Sequence, residues 1–118
     1  MKLGHIELFV ADPLRSRDFY RDVLGFTVIA EQQQGRFIWV ALGDREIRLR
    51  PGRGARPVTA NYGEAASALV IYTDDVAATA EQLRQRGLSF AGTDGSVGCP
   101  TFTDPDGHWF QLVNPEHP

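Results

Sequence analysis

The chain has 118 residues, enough for one compact domain or two small halves sharing a core. Its formal charge of -3 and ordinary apolar content of 42% provide no basic field for nucleic acid. A lone cysteine, Cys99, excludes an intrachain disulfide and a paired-cysteine metal site.

The opening MKLGHIELFV has one lysine and a short apolar run before Asp12-Pro13, so neither a signal peptide nor a membrane span is expected, and the expected location is the cytoplasm. From Leu3 to Ala11 the residues alternate, with Ile6, Leu8 and Val10 on one face and His5, Glu7, Phe9 and Ala11 on the other. This is the pattern of a half-buried strand. Asp12 suits a helix N-cap and Pro13 the first helical position, where a missing N–H costs nothing. The spacing predicts a helix over Leu14–Leu24, with Ser16, Phe19, Tyr20 and Val23 as its buried stripe and Gly25 ending it. Strands are predicted over Phe26–Glu31, Phe37–Leu42 and Glu46–Arg50, with turns at Gln32–Gly35 and Gly43-Asp44.

Pro51 to Gly63 has no periodicity and reads as a loop joining two halves. The expected organisation is module one 1–50, linker 51–65 and module two 66–118 in a single domain. After the linker the pattern restarts: a strand over Ala66–Thr73, a helix over Val76–Arg86 capped at Asp74-Asp75 and ended by Gly87, a strand over Leu88–Ala91, a turn over Gly92–Gly98, then a hairpin from Cys99–Thr103 and His108–Val113. Asp104-Pro105-Asp106-Gly107 supplies the turn chemistry of that hairpin.

A shift of 63 residues places Asp12 on Asp75, Phe9 on Tyr72, Arg48 on Gln111 and Leu49 on Leu112, while Gly25 and Gly87 differ by 62. Each half is strand, helix, then three strands, so the chain reads as an internal duplication. The same shift sets Trp39 on Phe102, which leaves the face of Trp39 open. The fold class expected is α+β: tandem βαβββ modules whose sheets curl around a shared cavity. The residues off the helix-covered faces are His5, Glu7, Phe9, Arg48, Arg50, Val70, Tyr72, Trp109 and Gln111.

The duplicated unit, the opening HIELFVADPLRSRDFYRDVLGF and the closing FTDPDGHWFQLVNP resemble the vicinal oxygen chelate superfamily. That group includes glyoxalases, ring-cleaving dioxygenases, thiol-transferase fosfomycin resistance enzymes, epimerases and bleomycin-binding resistance proteins, so the resemblance speaks to fold more than to activity. It implies metal-ligand positions at the first and fourth strands of each half. These fall on His5, Arg48, Ala68 (or Ser67) and Gln111. Arginine has no acceptor and cannot ligate a metal, alanine has no donor atom, and an amide oxygen is a weak neutral ligand. No metal site and no cofactor is therefore expected; His5, Glu46 and Gln111 are the candidates should a divalent metal bind, with Glu7 a further carboxylate on the His5 face.

Two functions follow. In the first, the protein binds a planar or anionic metabolite or drug without transforming it, through His5, Glu7, Phe9, Trp39, Arg48, Tyr72, Trp109 and Gln111. In the second, it is a metal-dependent lyase, isomerase or dioxygenase of the glyoxalase type. A cofactor-free enzyme with His5 as base and Arg48 beside an oxyanion is chemically open as well. Plainer roles stand beside these: His5 bonded to Glu7, Arg48 paired with Glu46 or Glu7, Trp109 and Tyr72 in the core, and Arg50, Arg53 and Arg56 as solvated loop charges. The expected partners are a small-molecule ligand and a second copy of the chain, with neither nucleic acid nor membrane.

Overall fold

The computed structural model describes residues 1–52 and 58–117. The chain forms two compact units, Met1–Ala55 and Arg56–Pro118. The part of the linker around Arg53 and Arg56, with the expectation attached to those two arginines, lies outside the described residues.

In the first unit, β1 (Ile6–Val10) leads into α1 (Pro13–Asp18), which continues as a π-helical turn over Phe19–Val23, followed by β2 (Thr27–Gln32), β3 (Phe37–Leu42) and β4 (Arg45–Pro51). The strands make one mixed sheet in the order β1-β4-β3-β2, with β1 parallel to β4. Asp12 caps α1 as its position implies: its Oδ1 accepts from the N–H groups of Leu14 and Arg15 at 3.1 and 3.3 Å. One face of the sheet buries Leu8, Val10, Ile38, Val40, Ile47 and Leu49. Tyr20 is fully buried and meets Phe19 and Phe26 edge-on, and Ser16, also fully buried, adds little bulk to the helix face.

The second unit contains a 3-10 turn (Tyr62–Glu64), β5 (Ala68–Tyr72), α2 (Val76–Gln85), β6 (Thr101–Thr103) and β7 (Trp109–Val113). Its sheet runs β5-β7-β6, again with the first and last strands parallel. Ala80, Leu83, Leu88, Cys99, Phe102, Phe110 and Leu112 form its core, with Phe102 and Phe110 stacked at 5.1 Å. The described end of the linker is not featureless. Trp109 donates its indole N–H to Thr59 Oγ1 at 2.8 Å and meets the edge of Tyr62, and a Cβ at Gly107 would come within 2.7 Å of Val58. Residues 58–64 therefore pack on the β6–β7 hairpin.

The duplication is visible in the strand pairing. Glu7 sits opposite Arg48 and Leu8 opposite Leu49; 63 residues on, Val70 sits opposite Gln111 and Ile71 opposite Leu112. Two sequence expectations are corrected. Trp39 pairs with Arg48, and it is Thr101, not Phe102, that pairs with the corresponding Gln111, so the repeat runs at 62 from β3 to β6 while it stays at 63 from β4 to β7. Leu88–Ala91 is not a strand: of the eight expected strands, seven form among the described residues. Ala91 N–H reaches Thr101 O at 2.8 Å and Thr101 N–H reaches Gly92 O at 3.1 Å, so two residues face one, and past them an isolated bridge joins Thr93 to Pro100. Gly92, Gly95 and Gly98 all take left-handed φ values there, which interrupts an extended run.

Candidate functional site

On the open side of the first sheet, the period of two brings chemically distinct residues into rows. Glu7, Arg48 and Trp39 are neighbours across β1, β4 and β3, and Phe9 sits opposite Arg50. Trp39 thus belongs to this face, which settles the orientation that the sequence left open. Its ring lies 4.4 Å from the His5 imidazole, and its N–H donates to Gln32 Oε1 at 3.1 Å.

Glu7 is the hub. Arg48 Nε donates to its Oε1 and Oε2 at 3.1 and 2.9 Å, and Arg48 Nη2 makes a further close contact to Oε1. Arg50 Nη1 reaches the same Oε1 at 3.1 Å, and His5 Nε2 lies 3.1 Å from Oε2. The Arg48 hydrogen bonds, opposed by burial and assisted by Arg50 and His5, lower the Glu7 pKa from 4.5 to about 2. Reciprocally, Glu7 raises the pKa of the Arg48 guanidinium. Aromatic rings line the cluster. Arg48 lies over Phe37 and Trp39 at 5.2 and 5.5 Å, and Arg50 lies over Phe9 and Phe37 at 5.2 and 5.3 Å.

One carboxylate therefore serves two permanent cations. Arg50 Nε is buried without a hydrogen-bond partner among the described residues, and neither Arg48 Nη1 nor Arg50 Nη2 has one among them. The reading of Arg50 as a loop charge is corrected: it is a β4 residue inside the cluster. The pairing of Arg48 is with Glu7, not Glu46.

Beside the cluster an open concavity of about 440 Å³ is lined by His5, Ile29, Ala30, Gln32, Trp39 and Glu46. A β-bulge makes part of its wall. The β2–β3 register slips between Val28 and Ala30, so Ile29 is an extra residue and stays half exposed. Nothing in the alternation of β2 signals that slip. Phe37, by contrast, stands two residues before Trp39 on the same strand, and period-two reasoning would have reached it once Trp39 was placed.

The remaining expected residues lie on the second sheet. Tyr72 is 70% exposed on β5. Trp109 is buried beneath Thr59 and Tyr62. Gln111 is half-buried on β7, its Oε1 without a partner among the described residues.

Of the three metal candidates, His5 and Glu46 both line the concavity of the first unit, while Gln111 lies on the second sheet. Glu7, half-buried, is held by two guanidinium groups, which would repel a cation placed there. No cluster of three or more His, Cys, Asp or Glu side chains able to hold a metal occurs among the described residues. None of their helices is long and apolar enough to cross a membrane.

These features agree with what the chain is similar to. The profile of the Glyoxalase/Bleomycin resistance protein/Dioxygenase superfamily matches residues 2–112, and the chain belongs to that family. Its sequence is 28% identical over 116 residues to the glutathione transferase FosA of Serratia marcescens, covering 93% of this chain and 78% of that protein. Among solved structures it resembles TnmS3, described as an antibiotic binding protein from Streptomyces sp. CB03234, with a TM-score of 0.68, 27% identity and 98% of each chain covered. TioX from Micromonospora sp. ML1 shares the fold at a TM-score of 0.72 and 19% identity, over 97% of this chain and 98% of its own.

Proposed function

We propose that the protein binds a small, flat, anionic organic molecule, a metabolite or drug, on the open face of its first sheet, without a catalytic metal and as a cytoplasmic homodimer. The observation that carries this reading is the excess of cation over anion at Glu7, Arg48 and Arg50, set among Phe9, Phe37 and Trp39. Unpaired guanidinium N–H groups suit a carboxylate or similar oxyanion, and the rings offer stacking area. His5 orients Glu7. On the second sheet, Tyr72 and Gln111 are proposed as ligand contacts in their own right, with Trp109, buried under Thr59 and Tyr62, as packing beneath them rather than a direct contact. The likeness to an antibiotic binding protein supports a binding role.

Titration with 2-naphthoate tests it. Trp39 fluorescence should quench, Trp39→Phe should remove the signal, and Arg48→Ala should weaken binding by about tenfold, the scale of a lost charged hydrogen bond. No quench at millimolar probe would sink the reading. A second reading, a metal-dependent lyase, isomerase or dioxygenase, draws on the relative named as a glutathione transferase. Stoichiometric Mn, Fe, Ni or Zn in protein purified without chelator would favour it.

A further inference from the structure

The concavity beside Trp39 has a charge that the Glu7 cluster does not account for. Glu46 lines it together with His5, Gln32, Ile29 and Ala30, and among the described residues its carboxylate has neither a hydrogen bond nor an ion pair. Glu46, Arg48 and Arg50 alternate along β4, so they project from one face of the sheet with about 6.6–6.8 Å between successive members. The open face is therefore polarised: an uncompensated acid at one end, an excess of guanidinium at the other, and the Trp39 indole between them. The guanidinium nearest the concavity, Arg48, is already neutralised by Glu7, so it offers little repulsion to a second cation.

We propose that this concavity is a subsite for a protonated primary amine on the same flat acid, with Glu46 as counter-ion and Trp39 as the aromatic wall. The inference rests on the binding role proposed above and narrows its ligand class to aromatic acids that carry an ammonium group about one ring system away from the carboxylate. An alkylammonium against an indole face and a carboxylate gains from cation–π and ion-pair attraction together. Because Glu46 is exposed, the gain is small, and salt should erode it.

Calorimetric titration of the full chain with two probes separates the possibilities. The probes are 6-(aminomethyl)-2-naphthoate and 6-(hydroxymethyl)-2-naphthoate, equal in size and differing by the one charge. In low salt, the amine should bind about fivefold more tightly than the alcohol, a ratio in the range of an exposed ion pair with an aromatic wall. That ratio should fall to near unity in Glu46→Gln and in high salt, and Glu46→Asp should restore part of it. Equal binding of the two probes to the unmutated protein, or a ratio that survives Glu46→Gln, would overturn the amine subsite and leave the anion-binding role standing. Failure of both probes to bind would overturn the two together.

Discussion

Glu7 shows how much one side chain can set. It neutralises Arg48, holds Arg50 over Phe9 and Phe37, and faces the His5 imidazole. Its folded pKa of about 2 lies below the ordinary 4.5, so the sign of its linkage is fixed: the ionised form is favoured in the folded protein. The stabilisation it brings is complete above about pH 4.5 and is lost as pH falls through 2. Arg48→Gln removes the largest cause of that shift. The Glu7 carboxyl, followed by carbon NMR, should then titrate closer to 4.5, and the loss of urea resistance between pH 5 and pH 3 should become less dependent on this residue. An unchanged Glu7 titration in the variant would show that Arg50 and His5 suffice to hold it. The sequence made Arg48 and Glu7 plausible partners because both fall on the open face by alternation. Alternation put Arg50 on that face too, but its place at the predicted end of the strand, before Pro51 and Gly52, left its role as that of a solvated charge.

At the level of elements, the two registers of the repeat, 63 at the N-caps and 62 at the terminal glycines, have a structural cause. Asp12 and Gly25 enclose one residue more than Asp75 and Gly87, and the first helix absorbs it as the π turn over Phe19–Val23. There Leu24 N–H reaches Phe19 O at 3.2 Å, one residue further back than an α-helix allows. The equivalent end of α2 has no such turn. Deleting the exposed Asp22 should convert the π turn to α and leave Leu24, Gly25 and Phe26 in place. The urea midpoint should drop by less than about 0.5 M, whereas deleting Arg84 from α2, which has no residue to spare, should cost more than twice that. Equal penalties would mean that the π turn is not an insertion. Helix positions and most strands were legible because capping and alternation are local. The β2 bulge at Ile29 and the lost strand at Leu88–Ala91 were not, since each depends on a partner strand: in one case a slipped register against Trp39, in the other Ala91 and Gly92 both bonded to Thr101.

Across the whole molecule, the repeated topology leaves the first strand of each module, β1 and β5, at a sheet edge. Both edges carry exposed apolar side chains: Phe9 at 56% and Ile6 at 40% on β1, Tyr72 at 70% and Val70 at 46% on β5. Edges of this kind usually carry lysine, proline or a cover, because unpaired strand groups beside apolar side chains invite another chain. None of the residues of β1 or β5 is a lysine or a proline. The homodimer proposed above follows from that surface rather than from any one contact. Light scattering at micromolar concentration is expected to give twice the mass of one chain. Val70→Lys places a charge on the β5 edge and should shift the mass toward that of a single chain, with the far-ultraviolet circular dichroism unchanged because the side chain lies outside the buried core. A single-chain mass for the unmutated protein across that range would remove self-association from the proposal, and the apolar edges would then have to be explained by the ligand instead. A dimer that survives Val70→Lys intact would move the interface away from β5, and Phe9→Lys would be the next edge to test.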